Sequence, residues 1–262
     1  MQTTMFWSCT GIDASELSFQ TARRFSEDEK TLIAEFPCLG IPRLGFVCEI
    51  MDGKRNTEAA ITRFEHGNRL EWDMMHQLNR RLYILPASSF AVPDYPITAR
   101  VDADTLMEFV FALHKLALDH GCGRLLLECQ GQLNSPMSFF SIKTADHVVI
   151  PLCKPTEAAY AVASLRRLAQ VYQQQPGKFI IAAGGNIKSL VRAACDKSLE
   201  DEKIEGVRFA GWDSRKIISA IEGRASGMKK EKGVYARNPK EERRRRGVRA
   251  ADQIQDGAPV YL

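Results

Sequence analysis

The stretch MFWSCTGIDASELSFQTARRF, residues 5–25, reads as three pieces. Met5–Cys9 is an apolar run with the character of a buried strand, Thr10-Gly11 breaks it, and SELSFQTARRF continues as an amphipathic helix. A strand, a turn opening on glycine and a helix bring free backbone N–H groups and the positive end of a helix dipole to one point. That is where α/β proteins hold phosphate. A phosphate-cradling loop also needs several glycines and a lysine before Ser/Thr. Here Gly11 stands alone, no lysine precedes Lys30, and Asp13 and Glu16 add two acids. With Asp13 as N-cap and Glu16 three residues on, the same stretch predicts a capping box, which would satisfy the helix N–H groups internally.

Outward from this stretch, short apolar runs alternate with longer amphipathic ones as far as residue 225. Strands are predicted at MFWSC (5–9), TLIAEF (31–36), LYILPA (82–87), RLLLEC (124–129), HVVIPL (147–152), KFIIAA (178–183) and GVRFAG (206–211). Helices are predicted at SELSFQTARRF, TEAAITRF, DADTLMEFVFALHKLALDHG, TEAAYAVASLRRLAQVYQQQ, NIKSLVRAACDKSL and SRKIISAIEG. Nearly all-apolar strands joined by helices imply an α/β fold: a mostly parallel central sheet with helices on both faces. In such a sheet the functional crevice lies beyond the carboxyl ends of the strands, which directs attention to TGIDAS, PCLGIPR, PASSF, QGQLNSP and KPTEAA.

The 262 residues and 45% hydrophobic content can bury a sizeable core. No apolar run approaches the ~18 to 20 residues of a membrane span. The start MQTTMFWSCTGID lacks the basic and small-residue features of a signal peptide, so a cytoplasmic chain is expected. Seven cysteines, an odd number with no C-x-x-C pair, read as core thiols. The five histidines show no ligand spacing, and no metal is expected. The net charge of +4 is unevenly placed. Between Arg224 and Arg249 eleven Lys/Arg face three Glu, so the rest of the chain is about four units acidic. Residues 226–262, with Arg243, Arg244, Arg245 and Arg246 at their centre, are expected to form a mostly disordered basic tail after a domain spanning 1–225.

Several segments in order resemble the deviant Walker ATPases typified by MinD and ParA. FWSCTGIDASELS is similar to that family's first strand and glycine loop, KTLIAEFP to its second strand, and NRRLYILPAS to the strand ending Leu-Pro-Ala. GRLLLECQGQLNSPMSFFSIKTADHVVIPLCKPTEAAYAVASLRRL resembles the Walker B strand, the loop behind it, and then an alanine-aspartate pair, an apolar strand and a proline-containing loop. The resemblance covers about residues 4–225 and implies a P-loop NTPase fold. The site residues depart from it. The signature-lysine position falls near Thr10, only Gly11 remains of the glycines, and Asp13-Ala14-Ser15-Glu16 stands where Gly-Lys-Ser/Thr is usual. Glu35 replaces the second strand's Asp and Glu128 occupies the Walker B position; each is long enough to reach a hydrated Mg²⁺.

Thr10, Gly11, Asp13, Ser15, Glu35 and Glu128 therefore read as a vestigial nucleotide cleft, with no cofactor expected. The resemblance implies a pseudo-ATPase scaffold that recruits partners and forms a nucleotide-independent homodimer. Degenerate glycine loops resemble the CpaE/TadZ branch of pilus and secretion assembly, although the receiver-like domain often found there is missing. Pro37, Leu39, Ile41, Arg43 and Asn134 are the candidate partner surface. Two other readings stay open: an ATP- and Mg-dependent partition or positioning ATPase with an atypical loop, and a DNA-associated factor using its basic tail. That tail has too few bulky apolar residues to insert in a membrane, but it suits electrostatic contact with nucleic acid or an anionic membrane surface.

Overall fold

A computed structural model describes residues 1–36, 42–89, 97–131, 133, 135–185 and 188–223. The candidate residues Pro37, Leu39, Ile41 and Asn134, and the tail with Arg243–Arg246, lie outside the described residues.

The strands are β1 (Gln2–Ser8), β2 (Thr31–Phe36), β3 (His76–Gln77), β4 (Leu82–Leu85), β5 (Arg124–Gln130), β6 (His147–Leu152), β7 (Phe179–Ala183) and β8 (Arg208–Gly211). They form one sheet in the order β3-β4-β2-β5-β1-β6-β7-β8. Every described pairing is parallel except that of β3, which runs antiparallel to β4 at one edge. The helices are α1 (Ser15–Asp28), α2 (Leu44–Val47), α3 (Thr57–Glu65), α4 (Ile97–Arg100), α5 (Ala103–Asp119), α6 (Pro136–Thr144), α7 (Pro155–Gln170), α8 (Lys188–Asp201) and α9 (Ser214–Ile221).

Two apolar layers sandwich the sheet. On one face Phe6, Ile33, Leu126, Val149 and Ile180 pack against Leu17 and Phe25 of α1, Leu44 of α2, and Ile217 and Ile221 of α9. On the other, Met5, Trp7, Leu32, Leu127, Val148 and Ile181 pack against α5, α7 and α8 through residues such as Phe109, Leu113, Val162, Leu165 and Val191. Strand residues of both parities are thus buried, which is why the strands read as unbroken apolar runs. The predicted helix beginning at Asp102 is α5, and the Asp102 carboxylate caps it by accepting from Thr105 N–H. Three helices go beyond the sequence reading: α2, α4 and α6, the last in the segment expected to be a loop after β5.

Candidate functional site

At the carboxyl edge, β1 ends at Ser8 and the chain turns through residues 9–14 into α1. Gly11 has φ +78°, a backbone conformation that side chains rarely adopt, and its N–H donates to Ser8 C=O. Nothing lies within 4 Å of where its Cβ would stand. Glycine is therefore required here by the turn rather than by close contact.

The expected capping box does not form. Asp13 precedes the N-cap position, which Ala14 occupies without a side-chain bond. Asp13 Oδ1 instead accepts from Ser15 N–H two residues on (2.9 Å), while Glu16 accepts from Gln20 Nε2 one turn later (2.8 Å). A local Asx-type bond and an i,i+4 pair have displaced the reciprocal cap. The electrostatic outcome persists in part: a carboxylate still holds a first-turn N–H at the positive end of α1. Asp13 Oδ2 meets the Arg43 guanidinium at 3.3 Å, with the two side chains 48% and 32% exposed.

Beneath this turn lie two buried carboxyls. Glu35 on β2 and Glu128 on β5 are register partners on adjacent parallel strands, 3% and 0% exposed. Glu128 Oε1 accepts from Ser15 Oγ (2.6 Å), and Ser18 Oγ bonds Oε2. Glu35 Oε1 accepts from Arg43 N–H (2.7 Å) and Leu44 N–H (3.3 Å), and Oε2 from Ala87 N–H (3.1 Å). Burial pushes both carboxyls above the ordinary carboxylate range, and the charge of Glu128 adds to the rise at Glu35; the hydrogen bonds oppose it. The oxygens of both acids are engaged by the chain's own donors.

Thr10 and Gly11 face elsewhere. With Cys9, Gly131, Thr156, Glu157 and Tyr160 they line an open cleft of about 450 Å³ beside the start of α7. Glu157 Oε2 accepts from Cys153 N–H and Lys154 N–H, closing the turn into that helix. Among the described residues the buried Thr10 Oγ1 has no hydrogen-bond partner. Burial raises the Cys9 thiol to about 12, so it is not a nucleophile at neutral pH. Further along the edge, the Trp212 ring lies over Gly184: a Cβ there would stand 2.5 Å from the ring.

The candidate residues thus separate into two groups. Asp13, Ser15, Glu35, Glu128 and Arg43 form one network under and beside the α1 turn, while Thr10 and Gly11 open onto the α7 cleft. Ser18 and Tyr160 were missed by sequence reasoning, while Thr156 and Glu157 lie in KPTEAA, a segment it pointed to without singling them out. The i,i+3 spacing of Ser15 and Ser18 is the signal that could have found the first of them. Among the described residues no cluster of His, Cys, Asp and Glu could hold a metal ion. No described helix is long and apolar enough to cross a membrane.

This architecture is that of the MinD/ParA ATPases. A chain of the MinC:MinD cell division protein complex of Aquifex aeolicus superposes with a TM-score of 0.60 at 11% identity, over 85% of this chain and 95% of that one. A ParA family ATPase from Chlorobium tepidum gives 0.59 at 11% identity, over 85% and 89%. McdA in an ATP complex from Cyanothece gives 0.56 at 12% identity, over 85% and 88%. At these identities the likeness establishes the fold. No family model matches the sequence, and no curated protein matches it significantly.

Proposed function

We propose that the chain is a non-catalytic member of this fold, a pseudo-ATPase scaffold that recruits protein partners. The observation that carries this reading is the state of the α1 turn: Asp13 holds the Ser15 N–H, Glu128 holds the Ser15 and Ser18 hydroxyls, and no lysine precedes Lys30. A carboxylate ~5 Å from a phosphate opposes it by roughly 3 kcal/mol at an effective dielectric near 20. Arg43 offsets part of the Asp13 charge and is itself occupied in doing so. With no lysine in it and a carboxylate on the first-turn N–H of Ser15, the turn is poorly equipped to stabilise a transferring phosphoryl group.

Self-association independent of nucleotide, recruitment through the loops at the carboxyl edge, and contact of the basic tail with anionic surfaces belong to the same proposal. Pilus or secretion assembly is the setting that the degenerate loop favours. Calorimetric titration of the full chain with Mg-ATP tests the reading. The expected result is no binding tighter than ~1 mM, that is, less than about 4 kcal/mol of binding free energy. Micromolar binding with turnover would replace the scaffold by a positioning ATPase with an atypical loop.

A further inference from the structure

The Glu35–Glu128 pair carries an inference that does not depend on the scaffold reading. Neighbouring strands of a sheet lie about 4.8 Å apart, so register partners on one face are side by side. Glu35 and Glu128 share the face of Ile33, Leu126 and Phe6, with α1 and α2 packed above. Among the described residues neither carboxyl forms an ion pair. The charged and titratable groups facing the pair are Asp13 from the α1 turn, and Arg43 and Cys48 flanking α2; Glu16 acts on Cys48 from the first turn of α1. Behind Ala87, Glu58 accepts from Ser88 N–H. Arg43, the cation among them, spends its guanidinium on Asp13.

The donors around the two carboxyls differ in kind. Among the described residues the donors to Glu35 are backbone N–H groups, which give hydrogen bonds and cannot accept them. A proton on Glu35 would find no acceptor among them. The partners of Glu128 are hydroxyls, which can do either. Ser18 Oγ has one proton and two acceptors within reach, Ser15 C=O at 3.0 Å and Glu128 Oε2. Both contacts are satisfied together when Ser18 donates to Ser15 C=O and accepts a hydrogen bond from a protonated Glu128.

We propose that the pair holds one proton on Glu128 and one charge on Glu35, and that this proton is a latch. While it is held, the starts of α1 and α2 and the turn after β4 stay pinned to the central strands through Ser15, Ser18, Arg43, Leu44 and Ala87. When it leaves, two facing carboxylates without a counter-ion repel each other, and the segments carrying Asp13 and Arg43 loosen. The carboxyl-edge surface is then ordered or released by pH. Two buried carboxyls that interact this closely titrate as a unit.

Carbon-detected NMR titration of the glutamate side-chain carboxyls in the full chain tests the assignment without any variant. A protonated Glu128 and an ionised Glu35 at pH 7 are expected. An ionised Glu128 below pH 6, or a proton residing on Glu35, would overturn it. Amide hydrogen exchange tests the latch. Exchange at Arg43, Leu44 and Ala87 is expected to accelerate above neutral pH by at least ~tenfold beyond the base-catalysed rise, the equivalent of one pH unit of proton linkage. Glu128→Gln, which keeps the neutral form, is expected to abolish that excess. Wild-type exchange that follows base catalysis alone, or an unchanged excess in E128Q, would refute the latch.

Discussion

Asp13 and Arg43 meet at 3.3 Å across the carboxyl ends of β1 and β2, and each also makes a backbone contact into the network below. Asp13 holds Ser15 N–H, and Arg43 gives its own N–H to Glu35. The ion pair therefore bridges the two loops that flank the buried carboxyls. Because both side chains are partly exposed, the bridge positions the loops more than it stabilises the fold. Arg43→Ala is expected to lower stability by less than about 1 kcal/mol in urea denaturation, in line with exposed pairs. A loss of several kcal/mol would make Arg43 a structural anchor.

The buried acids set the slope of stability with pH. A carboxyl whose folded-state pKa is raised binds more protons folded than unfolded, so stability falls as pH rises from the ordinary carboxylate range to the raised value. Glu35 and Glu128 titrate as a unit, so the window belongs to the pair and runs from the ordinary carboxylate range up through neutral pH. Denaturant midpoints measured from pH 5 to pH 9 should fall with pH in the wild type and fall less in Glu128→Gln. Midpoints rising across this range would reverse the sign and show that both acids are stabilised as anions.

Glu35→Gln exchanges an acceptor oxygen for a donor NH₂ facing buried N–H groups. An expected loss of about 1–3 kcal/mol follows from leaving such a group unpaired. Glu128→Gln, among hydroxyls that can reorient, should lose less. The opposite order in a paired denaturation experiment would contradict the donor geometry.

At Gly184 the question is steric. A methyl group there stands 2.5 Å from the Trp212 ring, so the ring must move. Gly184→Ala is expected to destabilise by roughly 1–3 kcal/mol through overpacking. In a Trp212→Ala background the same change should be near neutral, and a double-mutant cycle measures the coupling. Additive effects would place the strain elsewhere.

Light scattering over a concentration series, with and without Mg-ATP, checks self-association. The expected mass is the same in both conditions, and a stable dimer would bury on the order of 1,200–2,000 Å². ATP-dependent dimerisation would refute the nucleotide-independent mode. Removing residues 228–262 is expected to leave the thermal midpoint nearly unchanged and to abolish any salt-sensitive binding to nucleic acid or acidic vesicles. A midpoint several degrees lower would show that the tail packs on the domain.

The parallel sheet was legible because strands covered on both faces are apolar throughout. LYILPA overran by two residues, since β4 ends at Leu85 and Pro86 has no N–H for the ladder. The helix α6 escaped because its buried face is made of Met137, Ser138, Ser141 and Ile142, while Phe139 and Phe140 are only half-buried. Hydrophobic periodicity cannot register a helix that buries serines and leaves aromatics in the rim. The pairing of Glu35 with Glu128 depends on strand order, which a linear pattern does not state. Asp13 and Glu16 have capping-box spacing, yet Ser15 and Gln20 offered nearer partners.

The margins of the sheet restrict how copies of this chain can join. One margin is β3, two residues long and antiparallel; the other is β8, only four residues long, Arg208–Gly211. A short border strand offers too few consecutive N–H and C=O groups to template another chain. Growth by strand addition, the route of cross-β aggregation, is therefore closed at both borders. Association between copies must then use side-chain surfaces on helices or loops, and disrupting it calls for substitutions there rather than in the backbone ladder.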